Sequence, residues 1–203
     1  QPDWLQLIVA ELMAEEVIGV IGNTTLPKGE ESNLLDHYFY SAQRGARQFG
    51  ESSAIGWRWF LFNNTAVKRS AIKKTGLFDE KFTSYGGEDT DMAIRLWHNF
   101  PDALRFSSKI NAEHHHKRSL NQFCKQMETF GQTNLPLLLD RYPEYHQELA
   151  GDWITTWKGR LLFNALVGNL LRLINIILPN ITVTRYLVIY SVICGARVAF
   201  YRR

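Results

Sequence analysis

The chain has 203 residues, room for one full domain or one domain with an appendage, and its 45% hydrophobic and 21% charged residues are ordinary for a globular protein. A formal net charge of +3 is too mild to argue for nucleic-acid binding. The two cysteines, Cys124 and Cys194, lie far apart outside any Cys-x-x-Cys pattern, which excludes a disulfide framework and fits a reducing compartment. The opening residues "QPDWL" carry no signal-peptide pattern and no initiator Met, and read as the middle of something longer.

In chain order, Trp4, Leu5, Ile8, Val9 and Leu12 recur at helical spacing, with Pro2 suited to a first turn. "VIGVIGN" reads as a buried strand, and Asn33 to Phe49 as a helix stopped by Gly50. "GWRWFLFNN" reads as an aromatic strand that puts Trp57 and Trp59 on one face; Ser70 then caps a short helix that Gly76 ends. A helix with Met92, Ala93, Leu96, Trp97 and Phe100 on its buried face starts at Glu88-Asp89. "RFSSKINAEHHH" alternates, so that Phe106, Ser108, Ile110, Ala112, His114 and His116 share one strand face. Ser119 caps a helix with Leu120, Phe123, Cys124, Met127 and Phe130 on one side and Gly131 as its stop. The order favours a layered α/β architecture.

From Tyr142 the character changes. "RLLFNALVGNLLRLINIILPN" and "RYLVIYSVICGARVAFYRR" are strongly apolar but broken by Arg172 and Arg197, short of the ~18 uninterrupted apolar residues of a spanning helix. They suit helices lying in a membrane interface, with Arg202 and Arg203 near anionic headgroups; a helical hairpin covering the main core is the alternative.

Two groups could carry chemistry. Glu88, Asp89 and Asp91 crowd together after Gly86 and Gly87 at a helix start, where amide dipoles keep a carboxylate ionised and the bare glycines let a substrate ring come close. Acidic helix starts are common, so a purely structural role stands beside the catalytic one. Asp91 pairs more naturally with Arg95, one turn on. His114 and His116, two apart on a strand, could converge on a metal or phosphate, or simply bond to backbone at a strand end. Trp57 and Trp59 offer flat platforms for a sugar ring or, as readily, core packing.

Together the motifs resemble the C-terminal half of bacterial family 2 glycosyltransferases of the GT-A fold. Asn64 and Arg69 match its Asn-x4-Arg, Gly76 to Asp79 its Gly-x-Phe-Asp, and Gly87 to Asp91 with Arg95 its Gly-Glu-Asp-x-Asp and later Arg. His114, His116, Lys117, Ser119 and Leu120 match its His-x-His-(Lys/Arg)-x-Ser-Leu, so the likeness runs over about residues 1–136. It implies inverting transfer from a nucleotide-sugar donor, held through a divalent metal (Mn2+ or Mg2+), to a saccharide or lipid-linked acceptor. Asp89 would be the catalytic base and Glu88 would position the acceptor. Trp57, Trp59, Gly86, Gly87 and Asn64 would line the acceptor side, His114 would face the metal or the donor diphosphate, and His116 and Lys117 would be secondary groups on that diphosphate. The family's Asp-x-Asp metal motif is missing, so the chain reads as a fragment cut just downstream of the donor-binding half and inactive by itself. It divides as residues 1–141, the acceptor-side part of a GT-A domain, and 142–203, an apolar tail at the cytoplasmic face of a bacterial inner membrane. The alternatives are a carbohydrate- or membrane-binding module that keeps the fold without the reaction, and a histidine-based metal-binding protein.

Overall fold

The computed structural model describes residues 2–29, 31–51, 53–115 and 118–202. It divides into two compact units, one of Gln1–Ser32, Phe39–Asp79 and Glu88–His116, the other of Asn33–Tyr38, Glu80–Gly87 and Lys117–Arg203. The class is mixed α/β, as the element order implies.

The first unit is built on a four-stranded sheet. Its strands are β1 (Gly19–Thr25), β2 (Ser53–Ala54), β3 (Thr65–Val67) and β4 (Leu104–Glu113), in the order β2-β4-β1-β3. β1 runs parallel to β4 and antiparallel to β3, while β2 pairs antiparallel with β4. The apolar run of β1 suits its interior place, and Val20 and Ile21 are buried. Helix α1 (Trp4–Leu12) packs Ile8 against Val20 and Ile110, with Trp4, Leu7 and Leu12 around them. Leu5 and Val9, expected on that inner face, are exposed.

Three expectations fail here for local reasons. The helix expected over residues 33–49 is only α2 (Leu34–Tyr40), with a 3-10 turn at Gly45–Phe49. The intervening "SAQRG" offers no large apolar side chain to bury. The aromatic strand is instead a 3-10 turn at Trp57–Trp59: Trp57 and Phe60 both enter the core, at the i, i+3 spacing of a turn. The alternation of β4 does not run through. Gly22 pairs with Ser107 but Asn23 pairs with Asn111, so β4 spends three extra residues in a bulge. An odd excursion inverts the parity, and Asn111, not Ala112, follows Phe106 on its side. The face expected to join Phe106 to His114 is therefore broken.

Helix α3 (Arg69–Thr75) is preceded by Lys68 as its N-cap residue, with Ser70 one residue inside it; Gly76 ends it as expected. Helix α4 (Glu88–Asn99) buries Met92, Ala93, Ile94 and Leu96.

In the second unit, α5 (Leu120–Arg141) opens with a full capping box: Ser119 Oγ accepts from the Gln122 amide at 3.2 Å and Gln122 Oε1 from the Ser119 amide at 2.8 Å. It does not stop at Gly131. A Cβ there would lie 2.0 Å from the Val192 carbonyl oxygen, and one at Gly195 equally close to that of Glu128. The two glycines let α5 and α9 (Ile181–Arg202) touch backbone to backbone. Around that contact, Ile154 of α6 (Asp152–Thr155) and Phe163, which follows α7 (Trp157–Leu162), complete a core with Leu135, Tyr190, Ile193 and Ala196, and α8 (Ala165–Ile177) packs on α9. Thus α5, assigned by sequence to the 1–141 segment, packs with the apolar tail, because its contact face is shaped for α9. Among the described residues α9 is the one helix long and apolar enough to cross a membrane, although Arg185 and Arg197 interrupt its apolar run and 44% of its apolar window is buried within the protein.

A Gly195→Leu change forces the two helices apart and should cost about 3 kcal/mol in urea unfolding; a loss of under about 0.5 kcal/mol would mean that the contact is not built on these glycines.

Candidate active site

The acidic cluster sits on the first turn of α4, where unpaired amides and the helix dipole favour negative charge. Its members do different work. Asp91 is fully buried and accepts from Arg95 Nε at 2.8 Å, the pairing that the spacing suggests. The same guanidinium donates to the carbonyls of Thr75 and Leu77, each at 2.9 Å, so Arg95 ties the start of α4 to the end of α3. Asp91 is therefore structural.

Asp89 and Glu88 are half-buried. Asp89 Oδ1 accepts from the Thr90 amide at 2.8 Å. Burial, and then the neighbouring Glu88 charge, push the Asp89 carboxyl above the usual aspartate range, and the Thr90 amide only partly offsets them. Glu88 Oε2 is buried without a hydrogen-bond partner among the described residues. An orphaned carboxylate oxygen beside a carboxylate of raised proton affinity is a pair suited to holding and deprotonating a hydroxyl.

His114 follows β4 directly, its amide donating to Thr25 O at 2.9 Å, so it stands at the carboxyl end of the parallel pair β1/β4, where open α/β sheets bind ligands. The Tyr40 hydroxyl lies 3.1 Å from both His114 Nδ1 and the His114 carbonyl oxygen, and the two rings meet edge to face. At the same sheet end Arg47 donates to Asn23 Oδ1 at 2.6 Å, to Thr24 O and Oγ1 at 2.8 and 2.7 Å, and to Phe39 O at 3.1 Å. Burial, then the nearby Arg44, pull its pKa down. Sequence reasoning missed Tyr40 and Arg47. The one available signal was two polar side chains inside a stretch read as continuous helix.

Other assignments change. Asn64 is 5% exposed, and its amide is used inside the unit: Oδ1 accepts from Trp4 Nε1 at 3.0 Å, and Nδ2 donates to Asn23 O at 2.7 Å and Ile110 O at 3.0 Å. It clasps α1, β1 and β4 and leaves no donor for an acceptor sugar. Gly86 and Gly87 have φ of 79° and 99°, which L side chains rarely adopt, and a Cβ on Gly87 would meet Phe130, Asn134 and Phe82. Asn134 donates to Ser84 O at 2.9 Å and Gly86 O at 2.6 Å. The glycines serve the turn and its packing on α5, and the room expected for a sugar ring at Gly87 is filled. Trp57 is buried in the core, while Trp59 is half-exposed beside Phe49 with the Arg58 guanidinium 5.3 Å from its ring centre. The two do not form a shared platform. His116 and Lys117 lie outside the described residues. Among the described residues no three His, Cys, Asp or Glu side chains converge on one point. His114 alone does not make a site for Mn2+ or Mg2+.

Residues 57–119 match the family described as the N-terminal domain of galactosyltransferase. The chain is 36% identical over 86 residues to the uncharacterized glycosyltransferase YfnE of Bacillus subtilis (strain 168), covering 42% of this chain and 21% of that protein. It is 31% identical over 107 residues to validoxylamine A glucosyltransferase of Streptomyces hygroscopicus subsp. jinggangensis, covering 51% of this chain and 23% of that protein. The matches thus span about a fifth of the length of these curated relatives. No solved structure matches the chain significantly.

Because the folded-state pKa of Asp89 is raised, the residue costs stability once pH exceeds that value, and the cost vanishes below the unfolded aspartate range. Asp89→Asn should therefore unfold at higher urea than the parent at neutral pH, the advantage fading as pH falls towards that range. A variant less stable than the parent at neutral pH would contradict the burial assigned to this carboxylate.

Proposed function

We propose that the chain carries part of a glycosyltransferase domain and forms the acceptor-side part of an inverting, GT-A-fold, family 2-type enzyme. The observation that carries the proposal is the pair at the start of α4: Asp89, its proton affinity raised by burial, beside Glu88 with an unpartnered buried oxygen. Both fall inside the segment that matches the galactosyltransferase family.

In this reading the acceptor hydroxyl donates to Glu88 and then gives its proton to Asp89 as its oxygen attacks the anomeric carbon. The bond to the nucleoside diphosphate breaks with its electron pair leaving on the phosphate oxygen, so the configuration inverts in one displacement. His114, braced by Tyr40 at the carboxyl ends of β1 and β4, faces the donor diphosphate. A divalent ion is part of the proposal only as the family resemblance implies it. The described residues supply a single histidine for it, and no step above runs through the ion. The saccharide or lipid-linked acceptor and the cytoplasmic face of a bacterial membrane belong to the same proposal; bacterial relatives and the apolar tail support them.

In the longer protein that contains this domain, Asp89→Asn should lower kcat by about 10³-fold with acceptor KM little changed, the signature of a lost general base. A kcat within about threefold of the parent would overturn the assignment.

A further inference from the structure

Helix α8 is inside out. Gly168 faces α9 so closely that a Cβ would lie 2.5 Å from the Tyr190 ring. At 100° per residue, Leu166, Leu170, Leu173 and Ile177 cluster on the opposite side, and each is between 55% and 84% exposed. A helix of a water-soluble domain turns its apolar stripe to the core and its polar face to solvent. Here the protein contact goes through a glycine, while the leucines point away from it. The exposed apolar surface continues before and after the helix, with Trp157 and Leu161 both 68% exposed and Leu178 69% exposed. That is well beyond the scattered exposed leucines that need no explanation.

The segment that carries this face is basic. From Trp153 to Arg203 the sequence contains seven Lys or Arg and no Asp or Glu. Lys158 lies 5.9 Å from the Trp157 ring centre and Arg160 5.9 Å from that of Tyr201, so the exposed cations of α7 stand among interfacial aromatics. A second copy of the chain docking on this face would bring like charges together, whereas an anionic lipid headgroup layer complements them.

We propose that α8 lies flat in the surface of an anionic bilayer, inserting Leu166, Leu170, Leu173 and Ile177 between headgroups. At 13 residues it is too short to span a hydrocarbon core, which takes about 20. The longer α9 stays in the protein, since Leu187, Val188, Tyr190, Ile193 and Ala196 are buried there and α5 is fitted to its backbone. Attachment is therefore in-plane and reversible. The inference deepens the membrane part of the proposed function and uses none of the transfer chemistry, so either can fail alone.

The test is flotation of the full chain with vesicles of phosphatidylcholine alone or with about a third phosphatidylglycerol. The expected result is binding to the anionic vesicles only, released by high salt and by alkaline carbonate. Leu170→Glu with Leu173→Glu should weaken that binding by about tenfold or more and leave the circular dichroism spectrum unchanged, because both side chains are solvent-exposed. Four results would overturn the proposal. These are absence of binding to anionic vesicles, binding unaffected by the double substitution, retention after carbonate extraction as for a spanning helix, and a dimer that the double substitution dissolves in place of vesicle binding.

Discussion

The Asp91–Arg95 pair decides where α4 begins. A buried carboxylate is expensive unless it is paired, and Asp91 is paired by a guanidinium whose other donors are fixed on the Thr75 and Leu77 carbonyls. That arrangement pins the first turn of α4 to the end of α3. Every property assigned to Asp89 and Glu88, their partial burial, mutual repulsion and position at the free amides, follows from that turn being held in place. Three acids in four residues thus divide their labour: Asp91 is neutralised by Arg95, and the proposed chemistry falls to the other two.

The sheet supplies the other side of the same unit. β1 and β4 run parallel and end at Thr25 and Glu113, where His114 emerges and Tyr40 and Arg47 gather. Asn64, buried beneath them, spends its amide on holding α1, β1 and β4 together. The second unit rests on a different device, two helices brought into backbone contact by Gly131 and Gly195, with α8 carried on Gly168 against Tyr190. Its small residues face inward and much of its apolar surface faces out.

What the sequence made legible is what local chemistry determines. The Ser119 cap, the Gly76 stop, the Asp91–Arg95 spacing and the buried run of β1 all appear as read, with Gln122 completing the cap as a box. What failed depends on partners distant in the chain. Gly131 looks like a helix stop until α9 is laid against it. Trp57 and Trp59 look like a strand face until Phe60 shows that the core is reached at turn spacing. The strand leading to His114 looks regular until pairing with β1 forces three residues out. At the candidate site, the place of Glu88 and Asp89 on a helix start was legible because the glycines and the apolar periodicity mark it. The roles of Asn64 and the glycines were misread because a side chain's unused valences cannot be counted before its neighbours are known. Tyr40 and Arg47 stayed hidden for the same reason.

The central claim is that Asp89 takes the acceptor's proton, and the pH dependence of kcat/KM in an active protein that carries this segment tests it most directly. The account predicts an acid limb of unit slope that breaks above the ordinary aspartate range, as burial beside Glu88 requires, and that disappears in Asp89→Asn. An acid limb that persists unchanged in that variant would assign the proton to another group and contradict it.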